Sequence, residues 1–231
     1  MEHYSIPERI SGIVFDIDRT LYTNEAYVEH QVAVLYERFA KEKGLEIDAA
    51  IEQVDAYRAR FAREHGGRKQ SLGNSFAALG VPMEQSVAWR EQEIQPERFL
   101  STDETLQATL ERLTGDSDPG VPLVALTNNP VSIGRRALAA LGVASYFIDV
   151  VGLDTAMESK PDLGGFRAAF ERLSCSVENI VSVGDRYEID IAPALELGAG
   201  GILVEGVREV YDLPPLLVPH FAETPRRGAH E

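Results

Sequence analysis

Three scarcities in the sequence exclude whole classes of protein. There is one cysteine, Cys175, so no disulfide forms within the chain, and we expect a cytoplasmic protein. The chain has 22 lysines and arginines against 37 aspartates and glutamates, a formal net charge of −15. Because nucleic acids and anionic membranes are bound through many cations, this balance predicts neither as a partner. No apolar run approaches the roughly 20 residues that span a bilayer, and the first residues lack the basic start and apolar core of a secretory signal.

Short apolar runs predict a buried parallel sheet. With 231 residues and 44% hydrophobic content, the chain can form one large core with a smaller inserted domain. Five runs have the Val- and Ile-rich pattern of strands buried on both faces: Gly12–Ile17, Pro122–Thr127, Phe147–Val151, Asn179–Gly184 and Gly200–Glu205. Helical patterns alternate with the later runs, which favours an α/β fold with a doubly wound, Rossmann-like parallel sheet.

One long segment breaks this alternation. Between the first and second predicted strands the sequence shows helical patterns and no convincing strand, and a structureless loop of that length is implausible in a compact domain. We therefore predict an all-helical cap domain over residues 22–99, inserted into a Rossmann-like core made of residues 1–21 and 100–231.

Polar residues follow the predicted strands at one edge of the sheet. In open parallel sheets, ligands bind beyond the carboxyl ends of the strands. The candidates at these ends, or in the loop after the third strand, are Asp16, Asp18, Thr127, Asn128, Lys160, Asp185 and Asp190. Clustered carboxylates repel one another, and a hard divalent cation held by oxygen ligands relieves that repulsion. Mg²⁺ suits such a site best, because it keeps some waters and shares the oxygens of a phosphate.

These residue types suggest phosphoryl chemistry. A carboxylate that attacks a phosphate monoester faces repulsion between two anions, which Mg²⁺ and Lys160 would reduce. Asp16 could attack to form an aspartyl-phosphate, and Asp18 could protonate the leaving oxygen and later deprotonate water. A hydroxyl from Thr127 and an amide from Asn128 would bind the phosphate.

Four stretches in order, "FDIDRTLY", "LTNN", "SKPD" and "GDRYEID", resemble the motifs of the haloacid dehalogenase superfamily. The resemblance covers essentially the whole core and implies a phosphatase-type member with a helical first-type cap. It implies that Asp16 is the nucleophile and Asp18 the general acid and base, with the backbone carbonyl of Asp18 on the metal. The remaining roles that it implies are phosphate binding by Thr127 and Asn128, phosphate and nucleophile contact by Lys160, metal binding by Asp16 and Asp185, and a ligand or orienting role for Asp190.

Several cations have roles that the sequence leaves open. Arg19 stands where many members of the superfamily have glycine; it either contacts phosphate or points to solvent or the cap, and we favour the second. Arg186 follows a predicted metal ligand and could reach the site. The cap segment "RFAREHGGRKQ" could recognise an anionic substrate, although a solvated helix end explains its cations more simply.

The function predicted from these observations is Mg²⁺-dependent hydrolysis of a small phosphorylated metabolite. A nucleoside monophosphate, a phosphoglycolate-like acid and a sugar phosphate all remain open as substrates, and so do monomer and homodimer. A phosphomutase is the alternative within the superfamily. Dehalogenation is disfavoured because members that catalyse it lack an acid two residues after the nucleophile, the position that Asp18 holds here. From other classes, a receiver-type signalling domain or a non-catalytic phosphate-binding protein is the competing hypothesis.

Overall fold

The sheet has six strands in the order β1–β6–β5–β2–β3–β4. The computed structural model describes residues 1–115 and 120–221. The strands are β1 Glu2–Tyr4, β2 Gly12–Phe15, β3 Leu123–Leu126, β4 Phe147–Val151, β5 Ile180–Gly184 and β6 Gly200–Leu203. The five predicted strands are thus confirmed, with ends that differ by one or two residues.

β2 lies at the centre of the sheet, between β3 and β5. It runs parallel to both, with Ile13 opposite Leu123 and Val14 opposite Ser182. β5 and β6, and β3 and β4, are also parallel pairs. The carboxyl ends of three neighbouring strands, β3, β2 and β5, therefore open onto the same place.

The antiparallel strand β1 is absent from the sequence-based prediction. It pairs with β6 at the edge of the sheet, with Glu2 opposite Leu203. Its three residues are polar or aromatic and largely exposed, so they lack the apolar run that marks a buried strand. The sheet is consequently mixed, with one antiparallel edge on a parallel core.

Helices cover both faces of the sheet, which confirms the doubly wound core. The core helices are α5 Glu104–Thr114, α6 Val131–Ala140, α7 Leu153–Ala156, α8 Leu163–Leu173, α9 Ala192–Glu196, α10 Val207–Val210 and α11 Leu213–Leu217. Alternate residues of β2 point to opposite faces. Ile13 and Phe15 join the cluster that contains Leu106 and Leu110 of α5. Val14 joins the other cluster, with Phe166 of α8.

All secondary structure described between β2 and β3 is helical. Four α-helices come before α5: α1 Glu25–Lys43, α2 Ile47–Glu64, α3 Leu72–Ala78 and α4 Met83–Glu93. The side chain of Asn24 caps the start of α1 by accepting a hydrogen bond from the Tyr27 amide, and Gly44 ends α1 in the left-handed conformation, with φ 64°. Buried aromatic rings hold these helices together; Phe39 of α1 stacks on Phe76 of α3 at 4.8 Å between ring centroids. The exact division into core and cap stays a prediction.

Among the helices of residues 1–115 and 120–221, none combines the length and the apolar character needed to cross a membrane.

Candidate active site

The predicted site residues come together at the carboxyl edge of the sheet. β2 ends at Phe15 and Asp16 follows directly; β3 ends at Leu126 before Thr127; β5 ends at Gly184 before Asp185. Because these three strands are neighbours, their ends converge as parallel topology requires.

Lys160 is the centre of the buried charge network. Its ammonium donates to Asp16 Oδ1 and Asp190 Oδ1, each at 2.6 Å, and to the carbonyl of Leu126 at 3.0 Å. All three of its protons are thereby used, and Lys160, Asp16 and Asp190 are almost fully buried. A buried ammonium with this set of acceptors is held rigidly at one point.

The turn after β5 explains how Asp190 reaches this network. Residues Tyr187–Ile191 form a single π-helical turn, a feature that often occurs at functional sites. A Cβ added to Gly184 would lie only 2.3 Å from the Cβ of Asp190. Glycine at the end of β5 therefore allows the π turn to fold back over the strand and bring Asp190 onto Lys160.

Negative charge exceeds positive charge at this point of the site. Burial raises the pKa of Asp16 to about 7; Lys160 opposes this rise, and the nearby charge of Asp190 adds to it. Burial also raises the pKa of Asp185. Burial alone would lower the pKa of Lys160, but the carboxylates of Asp16 and Asp190 outweigh it and raise that pKa.

The carboxylates of Asp16, Asp185 and Asp190 could hold a metal ion. Each offers one oxygen, and these three oxygens lie within 4.8 Å of one another. An all-oxygen donor set with surplus negative charge fits a hard cation such as Mg²⁺. Asp16 and Asp185 belong to the predicted ligand set, and Asp190 was predicted as a ligand or an orienting residue.

Asp18 lies in a separate hydrogen-bond network. Its Oδ1 accepts from the Tyr22 hydroxyl at 2.5 Å and from Gln31 Nε2 at 2.9 Å. Its Oδ2 accepts from the Thr127 hydroxyl at 3.2 Å and from Asn129 Nδ2 at 3.1 Å. Four donors from the core and the cap helix α1 thus fix the orientation of this carboxylate.

The side chain of Asn128 holds the loop that carries Lys160. Its Oδ1 accepts from the Lys160 amide at 2.6 Å, and its Nδ2 donates to the Lys160 carbonyl at 3.2 Å. Both polar atoms of the side chain are therefore engaged with backbone. The predicted phosphate contacts of Asn128 and Thr127 stay predictions.

A cavity of 390 Å³ opens beside these residues, between the cap helices and the core. Asp18, Asn128 and Asp185 line its core side, and Arg90 and Gly73 line its cap side. Of the cap cations that the sequence singled out, Lys69 lines the cavity. Arg58 and Arg90 also line it, and neither belongs to a motif or segment singled out from the sequence.

Arg19 and Arg186 both line the cavity and both have acidic partners. Arg19 forms an ion pair with Glu25 in the first turn of α1, which agrees with the favoured cap contact. It adopts φ 63°, a left-handed conformation that glycine adopts without cost, and this explains why glycine suits the position. The Nε of Arg186 lies 3.3 Å from Asp185 and 3.6 Å from Asp190.

Several residues of the site were not assigned from the sequence. Thr20 donates to Asp16 Oδ2 at 2.9 Å, and its place in the "DIDRT" stretch was an available signal. Asn129 belongs to the "LTNN" stretch, which was likewise an available signal, whereas Gln31 carries none, since its Oε1 meets Asn129 Nδ2 at 2.7 Å only through the tertiary fold.

Comparison with known proteins places this geometry in context. The model of a family described as haloacid dehalogenase-like hydrolase matches residues 10–198. A phosphoglycolate phosphatase from Caulobacter vibrioides is 30% identical over 142 residues, which is 60% of each chain. A glyceraldehyde 3-phosphate phosphatase from Methanocaldococcus jannaschii is 27% identical over 198 residues, which is 82% of each chain.

The extent of these matches varies. The chain spans less than two thirds of the first phosphoglycolate phosphatases compared, 43% of one and 60% of another. Among solved structures, an HAD phosphatase from Thermococcus onnurineus is 24% identical and superposes with a TM-score of 0.51, over 84% of this chain and 86% of that one. At this identity the structural likeness concerns the fold.

Proposed function

This chain belongs to the haloacid dehalogenase-like hydrolases, and we propose that it is a Mg²⁺-dependent phosphatase that hydrolyses a small phosphomonoester through an aspartyl-phosphate on Asp16. The observation that carries the proposal is the position of Lys160, 2.6 Å from both Asp16 and Asp190, beside a third carboxylate at the wall of a cavity. The relatives named above act, by their names, on phosphate esters of two- and three-carbon compounds, which supports a small substrate.

In the first step, an oxygen of Asp16 attacks phosphorus as the bond between phosphorus and the ester oxygen breaks. The leaving alkoxide takes a proton from Asp18. In the second step, water attacks phosphorus, its proton passes to Asp18, and the Asp16 carboxylate departs. Inorganic phosphate is released and both aspartates return to their starting states.

The residues around the two aspartates support these roles. Lys160 and Thr20 each donate to one oxygen of Asp16, which fixes the carboxylate before it attacks. Asp16, Asp185 and Asp190, together with the backbone carbonyl of Asp18, would hold Mg²⁺. When bound, the cation would neutralise charge on the transferring phosphoryl group. The Thr127 hydroxyl and the Asn128 amide, which follow β3, would bind the phosphate oxygens.

The cap and core assignment is part of the same proposal. Helices α1 to α4 form one wall of the cavity, and the cap would span residues 22–99. A cap in this position closes the site over the substrate and excludes bulk water from the first step.

The test is release of inorganic phosphate from an aryl phosphate, with Mg²⁺ and with EDTA. We expect turnover with Mg²⁺ that is lost with EDTA and lost in Asp16→Asn. Asp48→Asn, an exposed change at the start of α2, is the matched control and should behave as wild type. Turnover that survives in Asp16→Asn would identify a different nucleophile. Absence of phosphate release from every ester in a panel would overturn hydrolysis, and transfer to a second hydroxyl of the substrate would instead establish a mutase.

A further inference from the structure

The cap side of the cavity contains a buried cation with no acidic partner. Arg90 of α4 is 4% exposed, yet its guanidinium lines the cavity. Its Nη1 donates to the carbonyl of Ser86 at 3.1 Å and to the Ser86 hydroxyl. Within residues 1–115 and 120–221, Nη2 and Nε donate no hydrogen bond and no carboxylate forms an ion pair with Arg90.

A second buried polar group, on the core side of the same cavity, also lacks a partner among the residues that the structure describes. The hydroxyl of Ser159, in the residue before Lys160, is buried and makes no hydrogen bond to any residue that the structure describes. It too lines the cavity. A Cβ built on Gly73 would lie 2.9 Å from Ser159 Oγ and 3.6 Å from Arg90 Nη2. The two groups therefore flank one small space, which the absence of a side chain at Gly73 keeps open.

Arg90 is more buried than the other arginines that line the cavity, and it forms no ion pair with any residue that the structure describes. Arg19 pairs with Glu25, Arg186 lies against Asp185, and Arg58 donates to the carbonyl of Gln70 at 3.2 Å. Burial lowers the pKa of Arg90 to about 10, with the charge of Asp18 opposing that change, so the guanidinium remains charged at neutral pH. A buried charge without a counter-ion is costly, and it is compensated when an anionic ligand enters.

We propose that Arg90 and Ser159 bind a carboxylate of the substrate, so that the substrate class is a small phosphorylated carboxylic acid. The phosphoryl group would lie at Asp16 and the carboxylate at the opposite, cap side of the cavity. This inference rests on the proposed phosphatase function and deepens it. One guanidinium neutralises one carboxylate and can do so through two parallel hydrogen bonds. A second phosphate, with up to two charges, would stay undercompensated between Arg90 and a neutral hydroxyl.

The test compares two esters that differ in one group, phosphoglycolate and 2-hydroxyethyl phosphate, on wild type and Arg90→Met. Methionine keeps the unbranched stem of arginine as far as the position of Nε without the charge, and an apolar replacement of a buried charge need not destabilise a fold. Charge-assisted hydrogen bonds contribute about 1.5–3 kcal/mol, which corresponds to roughly tenfold to a hundredfold in kcat/KM. We expect Arg90→Met to lower kcat/KM for phosphoglycolate by that factor more than for the hydroxyethyl ester, mainly through KM.

Three further variants make the test specific. Ser159→Ala should lower the ratio of kcat/KM for phosphoglycolate to kcat/KM for 2-hydroxyethyl phosphate by about threefold to tenfold, as expected for one hydrogen bond. Gly73→Ala should lower the same ratio because its methyl group occupies the space between the two groups. Lys69→Met removes a charge from an exposed position at the same cavity, and it should change both esters equally. If Arg90→Met does not fold, the Ser159 and Gly73 variants decide the question.

The outcomes separate this inference from the proposed function. Hydrolysis of both esters by wild type without preference for phosphoglycolate would overturn the carboxylate site and leave the phosphatase standing. An equal loss on both esters in Arg90→Met would overturn it as well, and so would a preference for a bisphosphate. No hydrolysis of either ester, or of an aryl phosphate, would overturn the phosphatase itself.

Discussion

At the scale of single residues, the charge on Lys160 offsets the repulsion between the clustered aspartates. Two almost fully buried carboxylates, Asp16 and Asp190, share its ammonium at equal distances of 2.6 Å. Asp185 adds a third carboxylate, and its nearby cation, Arg186, is partly exposed and therefore screened by solvent. The metal-free protein thus carries an electrostatic cost at the site that a divalent cation would remove.

That cost has a definite dependence on pH. In the folded, metal-free protein the pKa of Asp16 is raised by burial from 3.8 to about 7. Between these two values the folded state binds a proton that the unfolded state does not, so this group's contribution to stability falls as pH rises. The slope is at most about 1.4 kcal/mol per pH unit. Below pH 3.8 the contribution is fully present, and above about pH 7 it is lost.

We therefore predict that Mg²⁺ stabilises the fold more at high pH than at low pH, because protons and Mg²⁺ compete for the same carboxylates. The increase in Tm caused by Mg²⁺, relative to EDTA, should be clearly larger at about pH 8 than at about pH 5.5. Thermal unfolding followed by circular dichroism measures it. Asp16→Asn should weaken this pH dependence, since an amide does not titrate. Equal increases in Tm at both pH values would contradict the prediction.

Individual site residues could be predicted from the sequence where they lie at the end of a predicted strand. Asp16, Thr127 and Asp185 each follow an apolar run directly, so parallel topology alone brings them together. Arg90 could not be predicted, because it lies on a cap helix whose orientation depends on packing between side chains. The same holds for Ser159, because only the tertiary structure shows that its hydroxyl has no hydrogen-bond partner in the described part of the chain.

At the scale of the elements, helix α1 connects the cap to the proposed acid and base. Gln31 is buried on α1, donates to Asp18 Oδ1 at 2.9 Å, and accepts from Asn129 at 2.7 Å. The position of one helix thereby controls one of the four donors to Asp18. Displacement of α1 would break this contact while Thr127 and Asn129 remain on the core.

We predict that Gln31→Leu lowers kcat by about tenfold, because Asp18 loses one of the hydrogen bonds that orient its carboxyl group for proton transfer. KM should change little, since Asp18 acts in the transition state. Gln53→Leu, an exposed change of the same kind on α2, is the control and should leave kcat unaltered. Steady-state kinetics on an aryl phosphate measures both. A higher KM with unchanged kcat would show that Gln31 only contacts substrate.

The elements themselves were largely predictable, and the exceptions have physical causes. Apart from Ser182 in β5, the strands buried on both faces are apolar, so β2, β3 and β5 were identified within two residues. β1 was missed because an exposed edge strand of three residues needs only backbone pairing with β6. The π turn at Tyr187–Ile191 was not predicted, since its extra residue per turn depends on the close approach of Asp190 to Gly184.

At the scale of the whole molecule, one hydrogen bond joins the two ends of the predicted cap, and others join the cap to the core. Asn24 donates to the carbonyl of Phe99 at 2.9 Å, where the chain enters and leaves the predicted cap. Gln31 reaches Asp18, as described above. Asn74 of α3 donates to Asp162 at 2.6 Å, next to the loop that carries Lys160. Ser132 and Arg136 of α6 add hydrogen bonds to Glu91 and Glu97, so the cap is held over the cavity by contacts at several separate places.

The hydrogen bond from Asn24 to Phe99 joins the two chain segments that connect the cap to the core, one before α1 and one at Phe99. Its Oδ1 caps α1 by accepting from the Tyr27 amide at 3.0 Å, and its Nδ2 makes the bond to Phe99. Alanine would remove both, whereas serine would keep the capping oxygen and lose only the bond to Phe99. The two substitutions thus separate the stability of one helix from the connection between the two parts of the chain.

We predict that Asn24→Ala lowers the free energy of unfolding by about 2 kcal/mol and Asn24→Ser by about 1 kcal/mol, from about 1 kcal/mol for the cap and a similar amount for the hydrogen bond. Urea unfolding measures both values. Asn24→Ser should also lower kcat/KM, because a looser junction lets α1 move away and withdraws Gln31 from Asp18. If Asn24→Ser matches wild type in both stability and activity while Asn24→Ala loses about 1 kcal/mol, Asn24 serves only to cap α1. The position of the cap would then depend on its other contacts with the core, among them those at Gln31, Asn74 and Arg136.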